Sequence, residues 1–369
     1  MKECPNCKYA GNNPEAKFCS NCGSPLGGND YVNSEFVDYS RLMRNNRLET
    51  TVENGSVITP CSWDLACDFR EGLARVEKDG KMGFIDMTGK MVIPNQWRIA
   101  GDFFEGLAMV KGGNGEYFID RTGDIVINCP SDYSLEGDSF HEGLVAVERN
   151  GKYGYMDKRG NIVIPCKWES AASFADGLAS VSNEDGMYGC IDKSGDLVIP
   201  CDYNEEIVFS EGLGMTYFGD MICYLDRTGR KVIELVCDSA SQFMEGLASV
   251  CEQGFIDKNG DFVIEDKWCS CWDNGFSEGV AATDDWGYID RSGRTVIRND
   301  WETCHPFKEG LAKVEDGGKA GYIDHSGRQI TSCVWDSGCY FHEGLASVRL
   351  SGKAYYINKQ GKVLCHVQR

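Results

Sequence analysis

A chain of 369 residues, 42% hydrophobic and 25% charged, has the composition of a folded protein with a sizeable core. No run of eighteen apolar residues occurs, so no membrane-spanning helix is expected, and Met1-Lys2-Glu3-Cys4-Pro5 lacks the apolar stretch of an export signal. The formal net charge is −20; residues 1–30 are balanced, so the repeats that follow carry all of it and are expected to repel phosphate backbones.

The first predicted element is a metal site. Cys4-Pro5-Asn6-Cys7 and Cys19-Ser20-Asn21-Cys22 form C-x2-C-x11-C-x2-C. Each pair turns two thiolates toward one ion, and the spacer lets the second pair complete a tetrahedron. Four thiolates leave no open position for catalysis, so the expected occupant is one structural zinc per chain. Tyr9, Phe18 and Leu26 are too few to make a core without it. Residues 4–26 resemble the short zinc-ribbon modules at the N-termini of many bacterial proteins, though Lys8 stands where a knuckle glycine would be more usual. The domain is drawn at 1–28, closed by Gly27-Gly28. Nineteen cysteines without an export signal point to reduced thiols and a cytoplasmic location.

Residues 29–55 match no repeat and read as a linker or N-terminal cap. Phe36, Tyr39, Leu42 and Met43 are spaced for one helical face, with Asn33 or Ser34 as its cap.

From residue 56 to 369 the chain repeats. Phe-x-Glu-Gly-Leu-Ala begins at Phe69 and returns, with small changes, at Phe103, Phe140, Phe174, Phe209, Phe243, Phe276, Phe307 and Phe341. Measured at the glycine, the steps are 34, 37, 34, 35, 34, 33, 31 and 34 residues. A period of this size means one supersecondary unit whose copies bury their apolar faces against one another. Within a copy, Leu73–Val76, Gly83–Asp86 and Met91–Pro94 read as three short strands joined by tight turns, an antiparallel meander apolar on both faces. Asp-x-x-Gly recurs from Asp86 to Asp324, with Asn358 last; the acid bonds its own backbone and glycine supplies the left-handed position. One carboxylate per turn falls short of a calcium cage.

Phe-x-Glu-Gly-Leu-Ala, Gly-Lys-x-Gly-Tyr-Ile-Asp-x-x-Gly and Val-Ile-Pro-x-x-Trp, in that order, resemble the WG-repeat family of bacterial proteins over roughly residues 56–367. The Trp-Gly pair survives literally only at Trp286-Gly287. The resemblance implies an all-β repeat domain with no enzymatic activity generally attached.

Aligned copies turn scattered residues into columns. Trp63, Trp97, Tyr133, Trp168, Tyr203, Trp268, Trp301 and Trp335 share one slot, read as packing between repeats rather than a platform for sugars or bases. The nine phenylalanines are core. Cys61, Cys166, Cys201, Cys237 and Cys333 share a slot with asparagines and read as small hydrophobes. Glu71, Glu105, Glu142, Asp176, Glu211, Glu245, Glu278, Glu309 and Glu343 form an acid column. Like charges in register repel, so each is expected to accept amides of its own or the adjacent repeat; a strip for a basic partner is the alternative. His141 and His342 fall in the solvent-facing x of Phe-x-Glu-Gly, and no catalytic motif appears.

The expected architecture is all-β, nine three-stranded blade-like units behind a zinc ribbon. The third strand occurs ten times, from Val57-Ile58 to Val363-Leu364, and an unpaired extra strand fits an open superhelix better than a closed propeller. The expected function is a non-enzymatic interaction or scaffold module for a protein with a basic or mixed surface, not nucleic acid; glycan or cell-wall binding is the alternative.

Overall fold

The structure, a computed structural model, describes residues 33–53, 56–113, 115–135, 139–251, 253–265, 275–283, 287–298 and 300–368. Cys4, Cys7, Cys19 and Cys22 lie outside the described residues, as do Trp268 and Trp286. The fold is all-β, built from small antiparallel sheets, one to each copy of the sequence repeat. The chain divides into two compact units. One holds the described residues up to Asn128 with Gly318–Gly321 and the stretch from Ile330 on; the other holds Cys129–Gly317 with Tyr322–Gln329.

In the first unit, Leu65–Arg70, Leu73–Lys78, Lys81–Asp86 and Met91–Trp97 form one sheet. The two neighbouring apolar residues of its middle strand face opposite ways. Ile85 packs with Phe69 and Tyr356, and Phe84 packs with Phe103 and Ala108 of the following repeat. Both rings and Ile85 are fully buried, each contributing about 1.5–3 kcal/mol by removal from water. Stacked repeats therefore cover both faces, as the two-faced pattern requires. Gly83 is fixed by close approach: a Cβ there would lie 2.5 Å from the Ile93 carbonyl of the outermost strand, and Gly154 and Gly189 face the same obstruction at 2.4 Å.

Most sheets have four strands rather than three. The added strand is the first of its sheet and is often two residues long, as at Ile99–Ala100, Ser134–Leu135 and Ser170–Ala171. Such a piece is too short to show alternation in the sequence. Among the described residues of the second unit, four-stranded sheets begin at Ser134, Ser170 and Val208, and three-stranded ones at Ala248 and Val280.

The last sheet uses both ends of the array. Ser337–Gly338, Leu345–Leu350, Lys353–Asn358 and Lys362–Gln368 are joined by Ser56–Pro60, whose Pro60 and Val57 pair with Cys365 and Gln368. Trp63 then exchanges two hydrogen bonds with Ala354, at 3.1 and 3.0 Å. In other repeats this pairing is internal, Met82 with Trp97 or Tyr153 with Trp168. The extra copy of the third strand, Val57-Ile58, is thus hydrogen-bonded to the ninth repeat, and the strand-count argument for an open array loses its premise.

Residues 33–53 depart from the expected helix. Asn33–Asp38 is a strand paired along its length with Lys362–Val367. Only Tyr39–Leu42 is helical, a single turn capped by Asp38, not Asn33 or Ser34, whose carboxylate accepts the Ser40 amide at 2.9 Å.

Candidate interaction surface

Each Phe-x-Glu-Gly phrase closes a two-residue hairpin. In one, the Phe104 amide donates to Leu107 and the Leu107 amide back to Phe104, at 2.9 and 3.1 Å. Both central residues have positive φ, Glu71 at 52° and Gly72 at 76°, and all nine acids of the column lie between 51° and 56°. This is the I′ turn that suits the twist of short strands. Glycine accepts it freely, whereas a glutamate there costs about 1–2 kcal/mol.

The carboxylate accounts for the acid. It reaches the glycine amide of the next repeat's phrase: Glu71 to Gly106 at 2.9 Å in the first unit, and Glu211 to Gly246 at 2.9 Å, Glu245 to Gly279 at 3.0 Å and Glu278 to Gly310 at 2.8 Å in the second. Glu142 reaches Gly177 at 3.1 Å, and Asp176, one methylene shorter, reaches Gly212 at 3.3 Å. Glu343, the last of the column, accepts from Gly72, the first, at 2.7 Å. Bonds to a charged acceptor are worth about 1.5–3 kcal/mol, enough to offset the turn. In five of the stations the residue after the Asp of Asp-x-x-Gly adds a basic partner, whereas after Asp86 that place holds Met87. Lys193 meets Glu142 at 2.9 Å, Arg227 Asp176 at 3.3 Å, Lys258 Glu211 at 3.1 Å, Arg291 Glu245 at 3.1 Å and His325 Glu278 at 3.0 Å. The acid column is therefore a mechanical seam between repeats, as the repulsion argument required.

These contacts make acid stability predictable. Lys193 and the Gly177 amide, outweighing partial burial, hold Glu142 below its ordinary 4.5. For Glu211 burial pushes upward, but Lys258 and the Gly246 and Glu245 amides together outweigh it. A depressed folded value contributes stability that is complete above the unfolded value and lost as pH falls through the folded one. Thermal midpoints are therefore expected to drop as pH falls below 4.5, and Glu142→Gln/Glu211→Gln to flatten that drop while lowering the midpoint at neutral pH. Parallel curves for the two proteins would contradict the seam.

The Asp-x-x-Gly aspartates are structural too. Asp86 Oδ1 accepts the amides of Thr88 and Lys90, at 2.9 and 3.1 Å, and Gly89 takes φ 79°. Eight of the nine column phenylalanines are buried; Phe209 is half-buried, with Ile207 buried beside it. Of the aromatic slot, Trp63, Trp97, Tyr203 and Trp335 are buried and Tyr133, Trp168 and Trp301 half-buried. The thirteen described cysteines are free thiols, and burial pushes Cys61, Cys190 and Cys365 up to about 12. His342 is half-buried rather than solvent-facing, its Nε2 3.4 Å from Asp68 Oδ2, and His141 Nε2 lies 3.0 Å from Ser139 Oγ. Among the described residues no cluster of three His, Cys, Asp or Glu is arranged to hold a metal, and no helix is long and apolar enough to cross a membrane.

What the repeats do not consume lies mainly on the second unit. Residues 196–245 carry ten acids against three cations. Two of the cations, Arg227 and Lys231, are engaged with Asp176 and Glu234, and Arg230 turns back on Asp226. Asp202, Glu205, Glu206, Asp220 and Asp238 are exposed, lie outside the Phe-x-Glu-Gly and Asp-x-x-Gly columns, and have no ion pair among the described residues. These carboxylates attract cationic surfaces at long range, and salt weakens the attraction. Nothing in the sequence singled out these acids, because none belongs to the nine-membered acid column or to the Asp-x-x-Gly turns.

Set beside known proteins, the chain matches the family profile described as WG containing repeat at residues 53–81, 82–115, 118–153, 153–186, 188–216, 224–253, 286–319 and 321–353. The interval between the sixth and seventh matches still forms the strands Gly254–Ile256, Phe262–Glu265 and Val280–Thr283. No curated protein matches the chain in sequence. Among solved structures, BamB from Moraxella catarrhalis aligns over 85% of this chain and 100% of its own at 14% identity, with a TM-score of 0.37. KlHsv2 with loop 6CD replaced by a Gly-Ser linker aligns over 84% and 98% at 10% identity, with a TM-score of 0.39. Likeness at that distance has no bearing on what the chain binds.

Proposed function

This chain belongs to the WG-repeat family, and on that premise we propose that it is a non-enzymatic protein-interaction module whose partner presents a basic or mixed surface. One observation carries the reading: the acids of the two columns are tied into the seam and the turns, while Asp202, Glu205, Glu206, Asp220 and Asp238 are exposed and have no ion pair among the described residues. An acidic face selects cationic protein surfaces and disfavours nucleic acid. The half or more of the aromatic slot that is buried leaves less ring surface for a glycan. Salt-graded affinity capture, a DNA shift assay and a glycan array separate these classes. The reading expects a protein partner retained at low salt and released at high salt. Glycan binding lost on Trp168→Ala or Trp301→Ala, with no salt-sensitive protein partner, would replace it with the glycan reading.

We propose further that Cys4, Cys7, Cys19 and Cys22 hold one structural zinc in a ribbon separate from the array, in a cytoplasmic, reducing setting. The spacing of the thiols supports it. Metal analysis is expected to find one zinc per chain and its loss in Cys19→Ser, with the thermal transition of the repeats nearly unchanged. Equal zinc in both proteins would end the assignment.

A further inference from the structure

A groove of about 390 Å³ opens beside Glu205 and Glu206 in the second unit, within the usual range for binding pockets of about 300–1,000 Å³. Its lining includes Glu205, Glu206, Val208, Met215, Tyr217 and Met244. We propose that this groove receives a lysine or arginine side chain of the partner protein, its aliphatic stem between the methionines and its cationic tip at Glu206. The inference rests on the interaction reading above and names where the partner is gripped.

Three observations support it. The groove joins an apolar wall to carboxylates, the combination a long basic side chain matches, since its stem is apolar and only its tip is charged. Methionine suits the wall because its unbranched thioether adjusts to a guest. Glu206 has no cation against it among the described residues, whereas Glu211, five residues on, has Lys258 at 3.1 Å and the Gly246 amide at 2.9 Å. Partial burial of its carboxyl also pushes Glu206, exposed overall, above its ordinary 4.5. The loop bearing the acids is held in place from beneath. Thr216 Oγ1 donates to the Glu205 carbonyl at 2.8 Å, and the Ile207 amide donates to Ser180 Oγ at 3.1 Å. Thr216, Ile207 and Ser180 are all buried, so the carboxylates are presented by a fixed backbone and little ordering is needed on binding.

The test uses the full chain labelled at its methionine methyls, titrated with a blocked peptide bearing one lysine among glycines and serines. Saturable shifts at Met215 and Met244 are expected, and none with the same peptide acetylated at lysine. Glu206→Gln should weaken binding at least tenfold, and Glu302→Gln, an exposed acid away from the groove, should leave it unchanged. Absence of shifts, equal weakening by both variants, or methylammonium binding as tightly as the peptide would each overturn the proposal. A partner recovered by salt-graded capture that binds Glu206→Gln as well as the native chain would sink the groove while the interaction reading stood.

Discussion

Phe174→Ala is expected to cost about 3–5 kcal/mol, the range for truncating a buried ring whose cavity cannot collapse. Phe174 is 2% exposed and meets Tyr155 of the preceding repeat edge-on, centroids 4.8 Å apart. The contact is anchored, because Tyr155 Oη donates to the Ala172 carbonyl at 2.7 Å, and Ile164, Ala179 and Ile191 pack around it. Equivalent ring pairs recur at Tyr224–Phe243 and Tyr288–Phe307, with the tyrosine hydroxyls donating to Ser241 and His305 carbonyls. Tyr155 cannot move into the space without breaking its bond to Ala172. Denaturant unfolding measures the loss, and Ala175→Ser in the adjacent exposed slot should stay within about 0.5 kcal/mol. Similar costs for the two variants would mean that the faces are wrongly assigned.

Trp63→Ala is expected to be comparably severe, about 3–5 kcal/mol, although Trp63 lies near the start of the array. Its ring is 6% exposed and sits 5.4 Å from that of Tyr356, with Cys61, Ala66 and Leu364 in the same cluster. Its backbone completes the last sheet at Ala354. Removing the side chain therefore damages a sheet made largely of residues 337–368. Hydrogen exchange over Leu345–Asn358 should accelerate along with the fall in stability. A loss below about 0.5 kcal/mol with unchanged exchange would show that the two ends are not joined in this way.

Repetition is what made much of this legible in the sequence. Nine copies of one phrase identify the buried phenylalanines, and a column of like charges demands local partners, which proved to be glycine amides and the basic residues after the turn aspartates. What occurs once, or is very short, gives no such signal. Ile99–Ala100 is a strand only because Val110 and Lys111 offer it partners. Phe36, Tyr39, Leu42 and Met43 are spaced for a helix, yet the open edge of Lys362–Gln368 supplies backbone partners that a helix would leave unused, and Asn33–Asp38 pairs there. Phe209 follows its column in sequence but not in burial. Its strand pairs as a regular hairpin, Phe209 opposite Gly214, and Ile207 takes a place in the core. The left-handed glutamates were hidden for another reason: composition favours asparagine or glycine in such turns, and the bond that permits glutamate reaches into a different repeat. Glu206 had no aligned counterpart to compare with.

The central claim is that the acids of the two columns build the array and the five exposed acids outside them face the partner. Two variants test it in one experiment that records both thermal midpoint and affinity for the captured partner at low salt. One neutralises Asp202, Glu205, Glu206, Asp220 and Asp238 to their amides; the other is Glu142→Gln/Glu211→Gln. The account predicts that the first keeps its midpoint and loses binding, and that the second loses stability and, below its transition, keeps binding. Retained binding in the first variant, or binding lost in the second while it is fully folded, would contradict it.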